Sequence, residues 1–133
     1  MKNTKLMGKG IFVLVALFFI ATGLMLMFNP SRALEGMLVG SVEPAAALSS
    51  IRALWGGAIL AIGVNVLIGA LTENFAAIRV GPLFVLALIF ARIYSYFVDG
   101  SFDGFTASLI PPVIVFILML IAHKLLANGI ANK

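Results

Sequence analysis

Four long apolar stretches separated by polar breaks dominate the chain: Gly10 to Phe28, Ile51 to Leu71, Pro82 to Val98, and Leu109 to Ala127. Each is near the length that an α-helix, rising about 1.5 Å per residue, needs to cross a hydrocarbon core of roughly 30 Å. The pattern predicts an all-α polytopic membrane protein, one domain over residues 1–133. Short connections after the second and third spans make consecutive helices antiparallel neighbours in a four-helix up-and-down bundle. The third span is the shortest and carries Arg92, with Tyr94, Tyr96 and Phe97 marking an interfacial boundary near its end.

The first connection, Asn29 to Ser50, is long for such a bundle and opens with Asn29-Pro30-Ser31, a capping residue followed by a first-turn proline. A short extra helix is expected there, about residues 30–40, with Leu34, Met37, Leu38 and Val42 at helical spacing opposite Arg32 and Glu35. It suits a segment lying in the interface or over the bundle mouth; the bland alternative is a packed loop. Glu43-Pro44 can start a helix running into the second span. Asp99-Gly100-Ser101-Phe102-Asp103-Gly104 reads as two turns with positive φ at the glycines, and Pro111-Pro112 fits the first turn of the fourth span.

Composition agrees with the pattern: 62% of residues are hydrophobic and 11% charged, and the mean hydropathy is +1.17. The formal charge of +4 comes from singly scattered basic residues, not from a run interleaved with aromatics, which argues against a nucleic-acid partner. Lys2, Lys5, Lys9, Arg79, Lys124 and Lys133 all fall on one side of a four-span model, which the positive-inside rule makes cytoplasmic, together with both termini. Glu35, Glu43, Asp99 and Asp103 face outward with only Arg32 and Arg52. The first span is also weighed against a secretory signal with Ala45-Ala46-Ala47 as its cleavage site; its apolar core is too long and the site too distant, so a retained helix is expected.

Chemistry is sparse. There is no cysteine and a single histidine, His123, so thiolate, iron–sulfur and bis-histidine haem sites within one chain are excluded. No phosphate loop, nucleophile elbow or metalloprotease motif occurs, and the acids of 99–104 lack the series of a calcium loop. No catalytic residue, metal site or cofactor is expected, and the chain is read as a non-enzyme. A proton-coupled small multidrug exporter would need a carboxylate inside a span, and none lies there.

Arg92 demands an explanation, because a charge inside a span costs about 2.5 to 3.5 kcal/mol on insertion scales. At about 100° per residue Arg92, Ser95, Tyr96 and Asp99 share one face, a polar stripe that must meet protein or water. Asp99 lies about 10 Å above Arg92, too far for easy pairing. The candidate partners are Glu35, a backbone carbonyl or hydroxyl of a neighbouring span, or the anionic part of a ligand; a structural ion pair is the plainer reading. In the second span Arg52, Gly56 and Gly63 share a face, and Gly57 and Ala61 form a small-x-x-x-small pair beside it, both suited to close helix packing. Arg52 and Trp55 fit headgroup anchors, or with Arg92 a lipid-phosphate site. Asn65 lies about 220° around the helix from Arg52 and suits an interhelical hydrogen bond, while His123 and Lys124 complement a helix C-terminus.

Phe28-Asn29-Pro30, Ile51-Arg52-Ala53-Leu54-Trp55-Gly56-Gly57 with Gly63 downstream, and Arg92-x-x-Ser95-x-x-x-Asp99-Gly100 carry a resemblance. The chain resembles a bacterial family of small membrane proteins, the domain of unknown function DUF4345, in the neighbourhood of the DoxX-like four-helix proteins. That resemblance implies a four-helix membrane bundle of a bacterial inner membrane and no established activity; Arg52, Gly56, Gly57, Arg92 and Asp99 match it as signature positions only. The leading expectation is a non-catalytic accessory or assembly subunit contacting the bilayer and other membrane chains or itself. The alternative is a binding or transport module for an anionic or lipid-like ligand entering from the outer side, held by Arg52, Arg92, Tyr96, Asp99 and Glu35.

Overall fold

A computed structural model describes residues 2–37, 45–100 and 103–131, and every described element is helical. Helix α1 spans Lys2–Phe28, α2 Pro30–Gly36 and α3 Ala45–Ser50; a π-helical segment, Ile51–Gly57, joins α3 to α4, Ala58–Thr72; α5 spans Phe75–Asp99 and α6 Phe105–Ala131. Four helical stretches are long and apolar enough to cross a membrane: Asn3–Phe28, Ala47–Thr72, Phe75–Asp99 and Phe105–Gly129. The bundle closes as a ring in which α1 packs on α4 and α6, and α5 packs on α4 and α6.

The helices outrun the hydrophobic windows. α5 begins at Phe75, seven residues before Pro82, because Asn74 caps it: its Oδ1 accepts from Ala76 N at 3.0 Å and Ala77 N at 3.3 Å. α6 begins at Phe105, so Pro111 and Pro112 lie inside the helix rather than in its first turn. Transmembrane helices tolerate internal proline where neighbouring groups re-satisfy the freed backbone. Leu38, Val42, Glu43, Pro44, Ser101, Phe102 and Lys133, on which some of the expectations above fall, lie outside the described residues. Gly100 and Gly104, at φ 90° and 89°, have the positive φ expected of the turns around them.

The extra helix α2 follows the capping logic. Asn29 Oδ1 accepts from Arg32 N at 3.5 Å, Pro30 occupies the first turn, and Ala33 and Leu34 bury against Leu26 of α1. α2 thus folds over the end of the bundle opposite the termini, here called the far end.

At the near end, which holds the start of α1, the end of α6 and the α4–α5 turn, Phe12, Ala16, Val66, Ala70, Ile78, Met119, Ala122 and Leu126 are fully buried in one cluster. Lipid tails are as apolar as these side chains, so the helices gain from close dispersion contact rather than from leaving water. Small residues make that contact possible between α1 and the second span: a methyl on Gly23 would come within 2.6 Å of Leu60 N, and one on Gly63 within 2.8 Å of Ile20 N. Asn65 Nδ2 donates to Ala77 O of α5 at 3.0 Å, the interhelical bond anticipated for it. Lys5 pairs with Glu73 at 2.7 Å, and Lys9 Nζ donates to Leu71 O at 3.1 Å, where a cation meets the open carbonyls of the α4 C-terminus.

Candidate functional site

The far half is built differently. The π segment packs chiefly on α1, α3 and α4, and no comparable packing joins it to α5 or α6. The space left between them is a cavity of about 740 Å³. Phe18, Phe19 and Thr22 of α1 form its back; Ala33 and Met37, from α2 and the residue after it, cover it; Leu54 and Trp55 of the π segment form one side; Phe84, Leu88 and Arg92 of α5 and Ala107, Ser108, Pro111 and Pro112 of α6 form the other.

Among the described residues lining the cavity, Arg92 is the only ionisable one. It is half-buried, and among the described residues no ion pair or hydrogen bond engages it. The two hydroxyls in the wall donate within their own helices, Thr22 Oγ1 to Phe18 O at 2.9 Å and Ser108 Oγ to Phe105 O at 2.7 Å. As far as the described residues form it, the site is an apolar chamber with one cation that none of them neutralises. Because α5 starts at Phe75, Arg92 lies about 7 to 8 Å beyond the helix midpoint, further toward the far interface than a span of 82–98 places it.

The other candidates do not converge on it. Asp99 is exposed and accepts from Ser95 Oγ at 2.7 Å, so the acid at the top of the polar stripe is held by its own helix. Tyr96 is exposed and packs its ring on Phe105 of α6, 4.9 Å between centroids, outside the cavity lining. Glu35 is exposed on α2 and, among the described residues, forms no ion pair with Arg92. Arg52 lines a separate groove of about 340 Å³ with Met27, Phe28, Ser49 and Ala53.

The separation of Arg52 from Arg92 has a backbone cause. The shared face of Arg52, Gly56 and Gly63 assumes an α-helical register, but bonds from i to i+5 in the π segment set Gly57, not Gly56, over Arg52. Gly56 and Gly63 pack on α1, with a methyl on Gly56 meeting Met27 Cγ at 2.7 Å, while Arg52 faces outward. The Gly57–Ala61 pair corrects accordingly: the nearest atom to a methyl on Gly57 is Arg52 O at 4.0 Å, and Ala61 is exposed, so neither is a packing position within the bundle. Trp55, read as an anchor, is half exposed and also lines the cavity. The tandem proline was the sequence signal for the α6 wall, obscured because it was placed at a helix start. His123 sits edge-on to Phe75 at 5.2 Å, and the described residues hold no cluster of three or more side chains suited to a metal.

Fold and site together define a small membrane-spanning four-helix bundle, closed at one end and hollow at the other. The chain belongs to the family described as Domain of unknown function (DUF4345), whose model matches residues 7–124. Neither the comparison with curated proteins nor that with solved structures finds a match.

Proposed function

We propose that this protein is a non-catalytic binding module for an anionic amphiphile drawn from the membrane, with the acidic group at Arg92 and the apolar portion against Phe18, Phe19, Phe84 and Leu88. The observation that carries the reading is Arg92, which has no partner among the described residues, in a wall that those residues make otherwise apolar. A guanidinium at membrane depth is stabilised by a counter-charge, and the protein supplies none among the described residues. The loose seam between the π segment and α5 supports entry sideways from the lipid. Trp55 and Leu54 on one side of it, and Leu88 on the other, are all more than a third exposed. Binding rather than catalysis is favoured because the described wall residues hold one ionisable group and two hydroxyls already engaged within their helices. With the termini cytoplasmic, as the basic residues argue, the cavity serves the outer leaflet of a bacterial inner membrane.

The test is native mass spectrometry of gently extracted protein. An anionic amphiphile is expected to accompany the wild type and to be lost from Arg92→Gln while the helical circular dichroism stays unchanged. Equal retention by Arg92→Gln, or exclusive retention of uncharged lipid by the wild type, would overturn the reading. The same spectra read the accessory-subunit alternative, which predicts a stoichiometric companion chain.

A further inference from the structure

Pro111 and Pro112 lie side by side inside α6, and both line the cavity, as do Ala107 and Ser108 one turn earlier. A proline has no N–H, so each removes the donor that would bond the carbonyl four residues before it. Pro111 thereby frees the carbonyl of Ala107 and Pro112 that of Ser108. Ser108 loses more. Its alternative partner in a tightened turn, three residues on, is Pro111, which also lacks a donor. The Ser108 carbonyl thus has neither its α-helical nor its 3₁₀ donor, and it belongs to a residue of the chamber wall close to the start of α6, toward the far interface. A carbonyl freed in this way is satisfied by what occupies the chamber beside it, either water or a hydroxyl of the ligand that displaces that water.

Resting on the amphiphile reading above, we infer that the Ser108 carbonyl, with Ala107 beside it, is a second polar contact that selects ligands by a hydroxyl. The ligand carries an acceptor anion for Arg92 and, close to it, an O–H that donates to Ser108 O. Arg92 alone takes any acidic amphiphile; the carbonyl pair distinguishes those with a hydroxylated headgroup from those without. A site built to pair with a hydroxyl rejects the analogue lacking it, because its own polar group is then left without a partner.

The experiment compares two lipids with identical acyl chains, phosphatidylglycerol and phosphatidylpropanol, titrated into delipidated protein and read by native mass spectrometry. Both carry one phosphodiester charge and a three-carbon headgroup, and only the first has free hydroxyls. Wild type is expected to bind phosphatidylglycerol about tenfold more tightly, the scale of one satisfied hydrogen bond against an unsatisfied acceptor. Pro111→Ala with Pro112→Ala restores both N–H groups, so the two affinities are expected to become equal through weaker phosphatidylglycerol binding alone. Equal affinities in wild type would overturn the inference, as would a preference that survives the double substitution. The wild-type comparison decides the matter even if the double variant does not fold. Binding of both lipids that is no tighter than that of phosphatidylcholine would overturn the Arg92 reading itself, an outcome distinct from equal, charge-dependent binding.

Discussion

Gly23 and Gly10 occupy the same helix and the same residue type, yet their surroundings are opposite. A methyl on Gly23 would meet the backbone of Leu60 at 2.6 to 2.8 Å, whereas nothing lies within 4 Å of one on Gly10. Backbone cannot yield as a flexible side chain does, so Gly23→Ala must push α1 from α4 and is expected to destabilise by about 1 to 3 kcal/mol. Gly10→Ala is expected to be neutral or slightly stabilising, since alanine favours the helix by up to about 1 kcal/mol. Unfolding of both variants in mixed sodium dodecyl sulfate micelles checks the contrast; equal effects would refute the α1–α4 contact. At this scale Asn65 and Arg92 were readable as polar residues needing an answer inside apolar spans. Gly23 was not, because an isolated glycine in an apolar run has no partner visible until the helices are placed.

Helix ends and registers were harder to read than helices. The apolar windows located four spans, but hydropathy measures lipid compatibility rather than hydrogen bonding, so it missed the polar first turn of α5 that Asn74 caps and the early start of α6. The π segment was invisible for a related reason: Ile51–Gly57 reads as well in an α register, and only the packing of Gly56 on Met27 fixes the other. The near-end tie was equally hidden, since Lys5 and Glu73 are 68 positions apart in the chain. Their side chains are 19% and 32% exposed, so a double-mutant cycle of Lys5→Ala and Glu73→Ala is expected to give a coupling of about 0.5 kcal/mol at low salt. Raising the ionic strength should shrink it. A coupling indistinguishable from zero at low salt would mean that the pair adds nothing to the α1 to α4–α5 connection.

Across the whole molecule, packing is graded from one end to the other. Ile78 and Val85 of α5 and Met119, Ala122 and Leu126 of α6 are buried, whereas no residue from Leu86 to Gly100, and none at the start of α6, is. Local opening follows contact density. Amide hydrogen exchange in a nanodisc is therefore expected to be slower across 78–85 and 119–126 than across 93–99 and 105–110, and addition of an anionic amphiphile should slow only the latter pair. Uniform protection along α5 and α6 would contradict a bundle closed at one end and loose at the other.

That asymmetry also settles where the molecule can be watched. The chain has a single tryptophan, and it stands in the wall of the far-end cavity, opposite Arg92 across the open seam. Excited at the red edge, where the two tyrosines do not absorb, the protein emits from one indole at one place. A brominated anionic amphiphile is expected to quench it in wild type at concentrations where its uncharged counterpart does not, and to lose that advantage in Arg92→Gln. Quenching that ignores both charge and substitution would mean the bromines reach Trp55 from bulk lipid rather than from a bound state. The protein needs no attached dye: its optical reporter is already built into the wall it would report on.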